Sequence, residues 1–191
     1  MQITEIKKDE TFNQYLRRAY RLRRRVKRLG AGGYAHVFQH PFRQDVAVKV
    51  YEPDEGYNVY LKWAIHNQNN PYAITVYRFP DGSYFKTVKD RRDVPYTFVL
   101  LKKYVEISAE QLEQTFRHFF PYYRIYTKNR WEQMQEKDWQ RSSELLKDKD
   151  PYGSEIAKFF AIHSQNLDLA SFNMMWDPGK NTAVFTDPFA V

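Results

Sequence analysis

The chain contains no cysteine. Disulfides, thiolate zinc sites and a thiol nucleophile are thereby excluded, and a reducing compartment is the natural setting. No apolar run approaches the ~20 residues needed to cross a bilayer as a helix. The opening stretch MQITEIKKDETF lacks the apolar centre of a secretory signal. These absences lead to the expectation of a soluble, cytoplasmic protein. The five histidines, His36, His40, His66, His118 and His163, show no metal-ligand spacing. His163, close to Phe159, Phe160 and Ile162, reads as structural. Internal repeats and low-complexity segments are absent.

What is present is aromatic and, at one end, strongly basic. There are 15 Tyr and 14 Phe in 191 residues, enough for one domain with a real core or for two small lobes. Residues 1–30 hold ten basic and three acidic side chains, which by themselves account for the formal net charge of +7. Residues 11–29 read as a basic amphipathic helix, with Tyr15, Ala19, Leu22 and Val26 on one stripe and arginines elsewhere. Two readings stay open. The Arg17–Arg28 segment is a contact surface for an acidic partner, nucleic acid or protein, or it is a solvated face packed down by its apolar stripe.

Further along, Gly30, Ala31, Gly32, Gly33 and Tyr34 form a glycine-rich turn between two apolar segments that pair as strands. Such a turn either lets backbone amides approach a phosphate or simply makes a hairpin. Residues 45–51 (DVAVKVY) read as a strand with Val46, Val48 and Val50 on one face and Ala47, Lys49 and Tyr51 on the other. Lys49 is either a phosphate ligand or an exposed edge lysine. A helix is expected over 57–67, then strands over 74–79, 84–88 and 96–101, with Asp81-Gly82 turning between the first two. Beyond Lys102-Lys103-Tyr104 the pattern becomes helical. Ser108 and Gln111 make a capping box for a helix to about Phe120, and helices are expected over 131–147 and 154–165.

The last stretch, LDLASFNMMWDPGKNTAVFTDPF, carries the chemistry. Met174 to Trp176 and Ala183 to Thr186 can pair across a Pro178-Gly179 turn, which would set Asn173 beside Asp187 with Asp168 on the loop before them. Mg²⁺-dependent phosphoryl transfer needs this set: one carboxylate to orient and deprotonate a hydroxyl, and an amide oxygen and a second carboxylate to hold the metal.

The order of these parts resembles the protein-kinase signature set. Gly30-x-Gly32-x-x-Ala35-x-Val37 is similar to the glycine-rich loop. Val46-Ala47-Val48-Lys49 looks like the phosphate-lysine strand, Asp168-x₄-Asn173 like the catalytic loop, and Asp187-Pro188-Phe189 stands in the place of Asp-Phe-Gly. Val37-Phe38-Gln39-His40-Pro41 and Thr186-Asp187-Pro188 are similar to segments of the early serine/threonine kinases of T-seven-type podophages.

The resemblance implies an α+β, two-lobed, minimal kinase-like fold. A basic helical segment (1–28) would precede an antiparallel-sheet lobe with one helix (29–103) and a reduced helical lobe (104–191). It implies ATP and Mg²⁺ as cofactors. Asp168 and Lys49 would be catalytic, and Asn173 and Asp187 would be metal ligands. Gly30 to Tyr34, Val37, Ala47, Lys49, Leu100, Leu101 and Lys102 would surround the nucleotide. It further implies phosphorylation of host bacterial proteins, with shut-off of transcription through RNA polymerase.

Several positions depart from the kinase pattern. Asn166-Leu167 replaces His-Arg, and no activation segment follows. Ala170 stands where a phosphate-side cation is usual, a loss of about 3 kcal/mol of transition-state stabilisation. Phe172 replaces a small residue. No Glu lies within 57–67, while Glu52 and Glu55 come too early unless the helix starts sooner. These departures leave two alternatives beside an active kinase: a weak or inactive kinase-like module that inhibits a host target by binding, and a small-molecule phosphotransferase, for which the helical part is short.

Overall fold

Valine alternation puts a strand at the centre of the first half. In a computed structural model, which describes residues 6–7, 10–31, 35–90, 92–124, 126–169 and 173–188, this strand is β3 of a six-stranded antiparallel sheet. The strands are β1 (Arg28–Ala31), β2 (Ala35–Gln39), β3 (Val46–Tyr51), β4 (Val76–Tyr77), β5 (Phe85–Lys89) and β6 (Pro95–Lys102). β3 lies between β2 and β6, and every residue of it is buried. β6 pairs with β3 on one edge and with both β5 and β4 on the other. The Asp81-Gly82 turn forms as expected, with Gly82 at φ 85°.

The expected helix over 11–29 is much shorter. Helix α1 spans Phe12–Ala19, capped by Thr11 and Gln14 in a reciprocal box. The chain then reverses at Arg21, whose φ is 54°. The amide of Leu22 donates to the Arg17 carbonyl (2.7 Å) and that of Arg21 to the Arg18 carbonyl (3.1 Å), a Schellman arrangement with arginine where glycine is usual. The returning chain is clamped by Asn13, which accepts from the Val26 amide (3.2 Å) and donates to its carbonyl (2.6 Å). Tyr15, Leu16 and Val26 thus join Phe38, Val46, Val48, Val50, Phe98 and Leu100 in one core on one face of the sheet. The apolar stripe of this segment is core, and Arg21, Arg23, Arg24, Arg25 and Arg28 are exposed.

The chain divides into two compact units, Met1–Glu55 with Thr75–Lys103, and Gly56–Ile74 with Tyr104–Val191. The second unit contains α3 (Ala109–Phe119), α4 (Glu136–Leu146), α5 (Pro151–Ile162) and a three-stranded antiparallel sheet of β7 (Val105–Glu106), β8 (Met174–Asp177) and β9 (Thr182–Phe185). Most of helix α2 (Glu55–His66) also belongs there. This helix begins two residues before the expected start, so Glu55 opens it. The Ser108–Gln111 capping box forms as expected. The expected helix over 131–147 is instead a 3-10 turn (Lys128–Gln133) followed by α4, because Trp131 is drawn into an aromatic core with Phe116, Phe120 and Phe185. α5 starts three residues early, where Asp150 caps it and Pro151 occupies its first turn. Among the described residues no helix is long and apolar enough to cross a membrane.

Candidate functional site

In the first unit the strand register decides which side chains accompany Lys49. Val37 and Val99 are its partners on β2 and β6, and Ala47 lies opposite Leu101. Alternation therefore puts Val37, Ala47, Lys49, Val99 and Leu101 on one face. Lys49 is 5 % exposed and lies in an interior strand, which removes the edge-lysine reading. Its Nζ lies 5.8 Å from the centre of the Tyr51 ring.

Leu100 is different. It pairs with Val48 and belongs to the α1-side core, so its side chain faces away from Lys49. Lys102, opposite Val46, is on that side too, and its amide donates to the Thr75 carbonyl (2.9 Å). The residues expected around the nucleotide therefore divide between the two faces, Leu101 with Lys49 and Leu100 and Lys102 away from it. Gly30 pairs with Val37 across a bulge, and a Cβ added there would meet nothing within 4 Å. Ala31 ends β1 and is exposed. Gly32, Gly33 and Tyr34 lie outside the described residues, as do Ala170, Phe172 and Phe189.

In the second unit the C-terminal hairpin forms with Met174 opposite Phe185 and Asp177 opposite Thr182. The Asp177 carboxylate accepts from the Gly179 amide (3.0 Å), and Asn181 takes the left-handed turn position (φ 52°). Just beyond the open end of this hairpin, three residues from separate points of the sequence are laced together through the backbone. The Asn173 carbonyl accepts from the amides of Thr186 (2.8 Å) and Asp187 (3.3 Å) and from the Thr186 hydroxyl (2.9 Å). The Asp168 amide donates to the Pro188 carbonyl (2.8 Å). The Asn173 Nδ2 donates to the Asp168 carbonyl (2.9 Å). Asn173 is buried, whereas Asp168 and Asp187 are half-buried. Leu169, next to Asp168, is 1 % exposed.

The lacing is anchored at Phe185, which has no exposed surface. Its ring meets Phe119, Trp131 and Phe160 at 5.8, 5.9 and 4.9 Å between centroids, all steeply inclined. Its amide donates to the Tyr72 carbonyl (3.1 Å), and its carbonyl accepts the Tyr60 hydroxyl. Burial pushes the Tyr60 phenol well above its ordinary range, so it stays a neutral donor. Asp187 thus sits two residues beyond a fixed point. The parts played by Thr186 and Tyr60 were not legible beforehand: a Thr before an Asp at a strand end is a faint signal, and a helical Tyr is none.

The donor set suits a hard divalent cation. The Asn173 NH₂ is committed to the Asp168 carbonyl, which fixes the amide and turns Oδ1 to the other side as a potential ligand. One carboxylate and one amide oxygen form the partial shell that Mg²⁺ accepts when phosphate oxygens and water complete it. Among the described residues no group of three or more His, Asp or Glu could hold a metal by itself. In comparisons with known proteins, no family model matches the chain and no curated protein matches it.

Proposed function

We propose that the chain is a minimal, phage-type, Mg-ATP-dependent serine/threonine protein kinase acting on host bacterial proteins, with a two-lobed kinase-like fold. The observation that carries this reading is the lacing of Asp168, Asn173 and Asp187, because these residue types in one cluster meet the demands of phosphoryl transfer. The Lys49 face of the first unit supports it: a buried lysine beside Val37, Ala47 and Leu101 offers a cation for phosphate oxygens and an apolar bed for a base.

In this reading Asp168 accepts the hydrogen bond of the acceptor hydroxyl, aligns its oxygen for in-line attack, and takes its proton as the new P–O bond forms. Lys49 binds the α/β-phosphates and holds the nucleotide while the β–γ bridge breaks. Asn173 Oδ1 and the Asp187 carboxylate would be the protein's metal ligands. Mg²⁺ bound there would neutralise charge on the β- and γ-phosphates. Host shut-off through RNA polymerase is the role that the resemblance proposes. The exposed arginines at 23, 24 and 25 favour a second reading, in which the chain inhibits a host target by binding, with that basic segment also able to meet nucleic acid.

The experiment is incubation with γ-labelled ATP, Mg²⁺ and bacterial lysate, beside Asp187→Ala. Label on discrete proteins that disappears in the variant is expected. Equal label in both, or none, refutes the kinase reading; inhibition lost on neutralising Arg23, Arg24 and Arg25 would then mark the binding reading.

A further inference from the structure

The first unit holds a cavity of about 870 Å³ whose lining includes the start of α1, the arginine segment, β2 and the β5–β6 turn. His36, Phe38 and Tyr96 line it, and strand alternation puts these on the face of the sheet opposite Lys49. It is therefore separate from the face used in the proposed kinase chemistry.

Its electrostatics are one-sided. Lys7, Arg17, Arg25, Arg28 and Arg92 line it, against Glu10 and Asp90. Both acids are already engaged. Glu10 takes two hydrogen bonds from Arg18, at 2.9 and 2.7 Å, which hold its carboxyl below the usual range. Asp90 accepts from the amides of Arg92 (2.8 Å) and Val94 (3.1 Å) and from the Arg92 guanidinium. Among the described residues no carboxylate pairs with Arg17, Arg25 or Arg28.

Two further observations point to an anionic ligand. Arg17 Nη2 donates to the Arg23 carbonyl (3.1 Å), yet its Nε is buried with no partner among the described residues. A buried donor of this kind calls for a water, an ion or a ligand to complete it. His36 is held below its usual pKa by burial and by the unneutralised charge of Arg28. Part of the remaining wall is aromatic: Phe12 packs edge-on to Tyr96 at 4.9 Å and against His36 at 5.2 Å, beside Ile6 and the polar Thr11, Asn13 and Gln14.

We propose that this cavity binds a nucleotide-sized phosphate ester, its phosphate taken by Arg17, Arg25 and Arg28 and its planar base laid against Phe12 and Tyr96. Arginine forks match phosphate oxygens, and aromatic walls accept a base of any identity. The volume is that of a small-molecule pocket, on the order of 300–1,000 Å³. The inference does not depend on the kinase reading.

Calorimetric titration of the full chain with AMP, without Mg²⁺, tests it. A dissociation constant below about 1 mM is expected. Arg25→Gln with Arg28→Gln, both exposed positions, should weaken AMP at least about tenfold while thermal denaturation remains unchanged. Tyr96→Leu should weaken AMP but spare inorganic phosphate. Absence of AMP binding, or equal affinity in the arginine variant, overturns the proposal. So does binding confined to a single-stranded oligonucleotide.

Discussion

Asn173 is where structure and proposed chemistry can be separated by one side chain. Replacing it with Ala removes the hydrogen bond from Nδ2 to the Asp168 carbonyl (2.9 Å) but leaves the Asn173 carbonyl, with its three donors, in place. One neutral hydrogen bond contributes about 1 kcal/mol. In a chain of this size that corresponds to a melting point roughly 2–4 °C lower. The fold should therefore survive. The larger effect should appear with ligand. A nucleotide at a hundredfold excess over its dissociation constant stabilises by about 2.7 kcal/mol, or roughly 5–10 °C. In differential scanning fluorimetry with a non-hydrolysable ATP analogue and Mg²⁺, the parent should show that shift and Asn173→Ala should lose most of it. Asn173→Asp is the complementary probe. It keeps an oxygen ligand but sets a carboxylate oxygen against the Asp168 carbonyl, so it should melt low without Mg²⁺ and recover when Mg²⁺ and the analogue are added. A Mg²⁺-dependent shift in Asn173→Ala equal to that of the parent would refute the assignment of this amide as a metal ligand.

Two further outcomes test the scaffold. The Asp150 carboxylate caps α5 through the Gly153 amide (3.0 Å) and accepts from the Tyr72 hydroxyl (2.5 Å) and the His118 ring (2.8 Å). Burial pushes its pKa up, but these partners outweigh burial and leave it lowered, so it adds stability above its unfolded pKa that is lost as pH falls through the folded value. Asp150→Asn, which retains a capping oxygen, should cost about 1 kcal/mol at neutral pH and flatten the acid limb of a melting-point-versus-pH curve below about pH 4. Arg21, in the left-handed region, should gain about 1 kcal/mol on change to Gly, read as a raised denaturation midpoint with an unchanged slope.

What could be read beforehand was whatever local chemistry decides. The Ser108 capping box, the alternation of β3 and the Pro-Gly hairpin each depend on residues within a few positions of one another, and each formed. Helix α1 was overextended because its apolar stripe continues at Leu22 and Val26. Those residues do reach the core, but by way of a reversal at Arg21 that arginine does not advertise and that Asn13 secures from the start of the helix. β7 was missed because two residues carry no periodic signal, and its pairing comes entirely from β8, about seventy positions later. The side-chain parity of β6 was not legible for a related reason. A one-residue step inverts a side chain in a strand, so locating the segment around Leu100 and Leu101 could not say which of the two shares a face with Lys49. The candidate metal loop lies between these cases. Its residue types were visible, whereas the bonds that bring Asp168 and Asp187 to Asn173 depend on Phe185 being held by Tyr60, Tyr72 and an aromatic core drawn from two helices and a 3-10 turn. The chemistry is written in a few polar residues near the end of the chain, and the precision that chemistry needs comes from apolar residues spread over the preceding hundred or so.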